Sequence, residues 1–330
     1  MVTLAVLGAG RIGTVHARNA AAHRLIDLVA IADPVAVTAQ TLAAETGARV
    51  ASVDAVFADK RIDAVIVATP TDTHADLTEQ AAAAGKAVFC EKPIDLDTIR
   101  VRACLTVVDR AGTTLFVGFN RRFDPSFSTL RDRLRNGEIG TLEILTITSR
   151  DPSPPPLAYI ARSGGLFRDM MIHDFDMACW LLGETPVEVY ATASALVDPA
   201  IGAAGDVDTA AVLLKTASGT ICQISNSRRA VYGYDQRIEA HGSTGMLLTD
   251  NRRATTVVRA GADGYTQDPA EDFFLERYAD AYRLELDAFV RCLETGAAAE
   301  PGGADGLRAL VLADAAVQSV RTGNAVTVGG

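Results

Sequence analysis

LAVLGAGRIG, residues 4–13, decides how the chain begins to fold. Leu4–Leu7 is apolar throughout, as a buried strand should be, and glycines follow at 8, 10 and 13. A helical pattern then runs to about Ala22. A second apolar strand is expected over Leu28–Ala32, ending at Asp33, 20 residues beyond Gly13. A G-x-G-x-x-G run alone is weak. Set between strand and helix, with an acid at that distance, it marks a dinucleotide-binding turn. Gly8 permits the tight turn, Gly10 lets a pyrophosphate approach the backbone, and Gly13 lets helix pack on strand. The helix start adds free N–H groups and a positive dipole. Ala9, Arg11 and Ile12 complete the turn and are candidate cofactor contacts. Asp33 can accept from both ribose hydroxyls, and its charge would repel a 2′-phosphate. NAD is therefore expected over NADP.

Outward from this turn the alternation continues. A Val/Ile strand, Asp63–Ala68, ends in Thr69-Pro70-Thr71, and a helix is expected over Asp72–Ala84. Ala87–Cys90 is a short strand ending in Glu91-Lys92-Pro93. A helix over Asp97–Arg110 precedes a strand over Thr114–Gly118 that leads into Phe119-Asn120-Arg121-Arg122. Strands alternating with helices predict a parallel, doubly wound sheet, with ligands at the carboxyl ends of its strands. Thr69, Pro70, Glu91, Lys92 and Asn120 fall at those ends beside Gly8 and Asp33, and are read as cofactor neighbours. His74 is either a helix-start residue or another such neighbour. Lys92 could simply pair with Glu91. Beside a dinucleotide site, its ammonium could also polarise a substrate oxygen. His16, His23 and His241 belong to no constellation and are read as structural or exposed.

After Asn120 the pattern changes. A helix around Pro125–Asn136, a strand over Leu142–Ser149 and a proline-rich loop at Asp151–Pro156 lead to GGLFRDMMIHDFDMACWLLG, residues 164–183. Read as one helix, this stretch puts Asp169, His173 and Asp176 on one face of an otherwise apolar rod. Three readings stay open: a buried ion pair, a metal site, or a His–Asp acid–base pair facing a substrate. Strands then follow without helices between them, over Val187–Leu196, Thr209–Lys215, Thr220–Ser225 and Gln236–Gly242, with weaker ones near Met246–Thr249 and Thr255–Arg259. They predict a mainly antiparallel open sheet with helices on one face, and a second subunit against the other. A long helix over Glu271–Glu294, another over Gly306–Arg321 and a strand over Ala325–Val328 close the chain.

Composition sets outer limits. The 330 residues are 48% hydrophobic and 22% charged, ordinary for a globular protein. A formal net charge of −10 without a basic block argues against nucleic acid and anionic membranes as partners. The N-terminus lacks the basic region of a secretory signal, and no apolar run is long enough for a bilayer. Five scattered cysteines without a C-x-x-C pair suggest neither a disulfide framework nor a zinc ribbon. A cytoplasmic home is expected.

G-A-G-R-I-G, Glu91-Lys92-Pro93, and Gly164-Gly165 with Asp169 and His173 resemble the Gfo/Idh/MocA oxidoreductases over nearly the whole chain. GFNRRFDPSF, SRDPSPPP, FRDMMIHDFDMA and NSRRAVYGYDQR look like the inositol 2-dehydrogenase branch. The resemblance implies an N-terminal Rossmann domain, residues 1–120, to which a helix around 303–330 returns, and an α+β substrate and oligomerisation domain, 121–302. It implies oxidation of myo-inositol to its 2-keto form by NAD, without metal, in a cytoplasmic homotetramer. By motif, Lys92, Asp169 and His173 would be catalytic. Arg122, Asp151, Asp176 and Tyr234 would join them as contacts of a small cyclic polyol. A dehydrogenase of another inositol or of an aldose, and a cofactor-binding sensor without turnover, are the rival readings.

Overall fold

The computed structural model describes residues 1–329. The chain divides into two compact units, Met1–Asn120 with Ala281–Leu310, and Arg121–Asp280 with the residues from Val311 onward.

In the first unit β1 (Val2–Leu7), α1 (Arg11–Ala22), β2 (Ile26–Ala32), α2 (Ala36–Thr46), β3 (Arg49–Val50), α3 (Val53–Ala58), β4 (Ala64–Val67), α4 (His74–Ala83), β5 (Ala87–Glu91), α5 (Thr98–Ala111) and β6 (Leu115–Gly118) follow in order. The six strands form one sheet in the order β3-β2-β1-β4-β5-β6. Every pairing is parallel. The order reverses beside β1, so the glycine turn after β1 and Thr69 after β4 lie at the switch point where such sheets bind ligands. β1 and β4 are almost wholly buried, as strands covered on both faces must be.

The second unit runs through α6 (Pro125–Arg135), β7 (Leu142–Arg150), α7 (Leu157–Ser163), α8 (Ile172–Leu182), β8 (Glu188–Ser194), α9 (Pro199–Ala203), β9 (Thr209–Lys215), β10 (Ile221–Ser227), β11 (Asp235–Gly242), β12 (Gly245–Thr249), β13 (Val258–Gly261), β14 (Gly264–Gln267) and α10 (Phe274–Arg277). α11 (Ala279–Thr295), α12 (Gly303–Thr322) and β15 (Val326–Thr327) complete the chain. Seven strands form a mixed sheet, β12-β11-β7-β10-β9-β8-β15. β7 and β10 pair in parallel and the other neighbours antiparallel. Val189, Val212, Leu214, Cys222, Ile224, Leu145 and Ile147 make its buried face. Alternating with them, Tyr190, Leu213 and Ile221 stay exposed.

The structure differs from the sequence reading at several places, the smallest being the short helix α9 between β8 and β9, where strands without intervening helices were expected. Residues 164–183 are not one helix. Gly164 and Gly165 have φ of 86° and 78°, Leu166–Met170 forms a π-helical turn, and α8 begins after Met171. The expected helix over 271–294 is two, α10 and α11. Between them Tyr278 turns its ring inward, and its hydroxyl donates to Gln236 Oε1 at 3.1 Å. The weak strand near Thr255–Arg259 is half of an exposed hairpin, β13–β14, turning at Ala262-Asp263. The part of the chain that rejoins the first unit is 281–310, which takes in most of α11 and only the start of α12 rather than all of 303–330, and β15 adds to the second sheet beside β8. Amphipathicity says that a helix buries one face, but not which core receives it. Here Phe289 packs against Phe89 and Phe116 in the first unit, with ring centroids 5.7 Å apart in each pair.

Candidate active site

In the first unit the three glycines divide their tasks as the spacing predicts. Gly8 has φ +103°, and a Cβ on it would lie 2.4 Å from the Ala68 carbonyl oxygen. A Cβ on Gly13 would lie 2.0 Å from the Gly8 carbonyl oxygen, so only glycine lets α1 approach β1 there. A Cβ on Gly10 would meet no protein atom within 4 Å, which leaves that backbone open to a ligand. Asp33 Oδ2 accepts from Ala9 N–H at 2.7 Å and Oδ1 from Val35 N–H at 2.7 Å. These bonds fix the carboxylate at the tip of β2 with lone pairs to spare for ribose hydroxyls. The residues fit a dinucleotide without 2′-phosphate.

Other residues read as cofactor neighbours divide into two groups. Thr69, Pro70, Lys92 and Asn120 follow the ends of β4, β5 and β6, as the alternation requires. His74 and Glu91 turn their side chains to the protein. His74 Nδ1 lies 2.8 Å from the Pro93 oxygen and Nε2 2.7 Å from the Thr69 oxygen, so the ring ties two strand ends together. The Glu91 carboxylate meets His16 Nε2 at 2.6 Å. His16, read from sequence as structural or exposed, is fully buried.

In the second unit, Asp169 lies on the π turn, and that turn is itself anchored. Met171 N–H donates to the Leu166 oxygen at 2.9 Å, and Leu166 N–H to Asp206 Oδ1 at 3.1 Å. A Cβ on Gly165 would lie 2.5 Å from that same Asp206 oxygen. Gly165 therefore makes room for the Asp206 carboxylate. The Asp169 carboxylate accepts from the Tyr159 hydroxyl at 2.9 Å and lies 3.5 Å from Arg228 Nη2. π turns inside helices are often found where a side chain must be re-aimed for function.

The acids of α8 separate into different roles. Asp176 forms a two-pronged pair with Arg122, Nε–Oδ2 2.8 Å and Nη2–Oδ1 2.5 Å. Asp174 pairs with Arg121 Nη1 at 2.5 Å and accepts from Asn226 Nδ2 at 2.9 Å. Asp124 and Arg277 form a third buried pair. Losing one partner of such a pair strands a charge in a low-dielectric interior, at a cost of about 3–5 kcal/mol. Arg122 and Asp176, both expected to hold substrate, thus meet one another and form a rigid, charge-balanced wall. Asp169 and His173 are less deeply covered than Asp174 and Asp176.

Asp151 stands just beyond β7. Burial pushes its carboxyl up to about 6, against the downward pull of Arg228 and Arg121, with Asp169 and Asp174 adding to the rise. The Tyr234 hydroxyl is driven well above its ordinary range, first by burial, and it feels Arg121, Asp151 and Asp174. Asp151, Asp169, Tyr234 and two arginines therefore share one electrostatic neighbourhood. Arg121, Tyr159, Asp174 and Arg228 were not singled out from sequence. For Arg228 the signal lay in the stretch NSRRAVYGYDQR, which does not say which of its arginines is buried.

Two family profiles match the chain: an oxidoreductase family with an NAD-binding Rossmann fold over residues 2–119, and the GFO/IDH/MocA C-terminal domain over 127–248. The chain is 57% identical over 319 residues to an inositol 2-dehydrogenase of Rhizobium meliloti, covering 97% of each. It is similar to a crystal structure of a myo-inositol dehydrogenase from Corynebacterium glutamicum, at TM-score 0.96 and 46% identity over 100% of this chain and 99% of that one. It is also similar to scyllo-inositol dehydrogenase from Lactobacillus casei with bound NAD(H) and scyllo-inositol, at TM-score 0.92 and 29% identity over the whole of both chains.

Proposed function

Because the chain belongs to the Gfo/Idh/MocA oxidoreductases, we propose that it is an inositol 2-dehydrogenase, oxidising myo-inositol to 2-keto-myo-inositol with NAD. The full-length likeness to an inositol 2-dehydrogenase carries the choice of substrate. The anchored Asp169 carboxylate, four residues before His173, supports the chemistry.

The glycine turn and Asp33 would hold NAD, which when bound would supply the acceptor for the hydride leaving the carbinol carbon. His173 takes the hydroxyl proton as that carbon–hydrogen bond breaks, which leaves a ketone. Asp169 orients the imidazole and balances the charge it gains. Lys92 donates a hydrogen bond to the reacting oxygen and supports its developing negative charge. Asp151 and Tyr234 receive the neighbouring hydroxyls, and the Arg122–Asp176 pair holds that wall in place. We assign the protein to the cytoplasm. Among the described residues, no helix is long and apolar enough to cross a membrane.

Initial rates of NAD reduction with myo-, scyllo- and chiro-inositol, glucose and xylose test the reading. The highest kcat/KM is expected for myo-inositol. A sugar or another inositol ahead of it would reassign the substrate. No reduction with any of them would leave a cofactor-binding sensor.

A further inference from the structure

Glu285, on α11, is fully buried, and neither of its oxygens has a hydrogen-bond partner among the described residues. It faces His16 on α1 and Glu91 at the end of β5, the nitrogen and oxygen atoms of the three groups lying within 4.8 Å of one another. His16 is also fully buried, and its Nδ1 has no hydrogen-bond partner among the described residues. Its Nε2 is the atom 2.6 Å from Glu91 Oε1. The surroundings are apolar. The Phe89 ring lies 4.9 Å and the Tyr282 ring 5.9 Å from the imidazole, centroid to centroid. Over the Glu91 carboxylate stands Gly118 of β6, where a Cβ would come within 3.0 Å.

Two ionised carboxylates sharing one imidazole in such a pocket would leave an uncompensated buried charge, which costs several kcal/mol or is relieved by a proton. We propose that Glu285 is held as the un-ionised acid against the hydrogen-bonded His16–Glu91 pair, and that this buried cluster fixes the strand end bearing Lys92, making His16 and Glu285 positioning residues for the reaction. The inference rests on the role given to Lys92 above. Burial and the nearby Glu91 both push the Glu285 carboxyl upward. The 2.6 Å contact between His16 and Glu91 leaves room for a proton between them rather than a metal ion. α1 also opens at the glycine turn, so the cluster joins the helix of the cofactor turn to the strand end beside it. From sequence alone, His16 and Glu285 were unremarkable members of amphipathic helices.

The full-length protein and its Glu285→Gln, Glu285→Asp and Glu285→Leu variants provide the test. At neutral pH the wild type should show the infrared carbonyl band of an un-ionised carboxylic acid, and Glu285→Gln should lack it. Glutamine keeps the shape and remains uncharged, so its kcat should stay within about threefold of wild type. Leucine and the shorter aspartate should lose about 10- to 100-fold in kcat, the scale of a small misplacement of a catalytic group. NAD affinity should change by no more than about twofold. If the leucine variant fails to fold, the glutamine–aspartate contrast and the infrared band still decide. Absence of the acid band would overturn the proposal. So would a divalent cation bound one per chain and lost in Glu285→Gln, or wild-type turnover in Glu285→Leu. Should the wild type oxidise no polyol, the reading of function and the positioning role fall together, while the band still reports whether Glu285 is un-ionised.

Discussion

At the residue scale the proposed chemistry depends on a few side chains whose surroundings set their charge. Replacing His173 by Ala removes the proposed base. It should lower kcat by about 100-fold or more while leaving the Kd for NAD unchanged, as single-turnover rates and a cofactor titration would show. Asp151 sets a pH limit. Its carboxyl is raised by burial to about 6, and it accepts hydroxyl hydrogen bonds fully only when ionised. The pH profile of kcat/KM should therefore fall as pH drops through about 6, and Asp151→Asn should flatten that acid limb. For stability the sign is opposite. Ionising a group whose pKa is raised by folding costs free energy, so this carboxyl weakens the fold as pH rises from its ordinary value toward 6. Arg228 counters that effect, because its buried guanidinium bears on both Asp151 and Asp169. Arg228→Met should move the acid limb upward by about one pH unit and lower kcat/KM at neutral pH by about tenfold, with Arg228→Lys recovering part of the loss. An unshifted limb in Arg228→Met would deny Arg228 this role.

At the scale of elements, legibility in the sequence followed how local the cause was. The glycine turn could be read nearly residue by residue, because a positive φ at 8 and a close approach at 13 are demands that only glycine meets. The stretch 164–183 was harder. Its apolar periodicity is real on both sides of Met171, but a π turn takes up an extra residue, and nothing in the pattern marks where. The cause is a long-range contact, Asp206 against Leu166 N–H, forty positions away. The same holds for the arginine partners of Asp174 and Asp176, since a sequence shows charges without showing which are neutralised. The second strand of the exposed hairpin escapes the sequence reading: its two-residue turn is Ala262-Asp263, and Gly264, at φ 105°, opens β14. Gly165→Ala tests the π turn directly. The new Cβ would be forced against Asp206 at a φ of 78°. The expected loss is about 1–3 kcal/mol in urea unfolding, together with a fall in kcat as Asp169 is re-aimed. A variant as stable and as active as wild type would show that the turn has no need of glycine there.

At the scale of the whole molecule, the second sheet leaves one face to be explained. Its register sets Tyr190, Leu213 and Gln223 side by side across three strands, with Thr146, Glu239 and Leu248 continuing the row. Tyr190 is 42%, Leu213 48% and Leu248 56% exposed. Ile221 and Met246 stand in the neighbouring row, separated by Ile144 and His241. Single exposed apolar residues are ordinary, but two apolar groups on one face of a sheet, Tyr190, Leu213 and Ile221 toward one edge and Met246 and Leu248 at the other, suit an interface. We propose that a second copy of the chain covers this face. A closed symmetric contact places the same residues on both sides, so one charge introduced at the centre is met by its own copy. Leu213→Asp should therefore split the assembly, with little effect on the fold because the side chain faces away from the core. Sedimentation equilibrium should report the full oligomer for wild type and a smaller species for Leu213→Asp. The melting temperature of the wild type should rise with protein concentration, while that of the variant should not. An assembly unchanged by Leu213→Asp would move the interface to another surface.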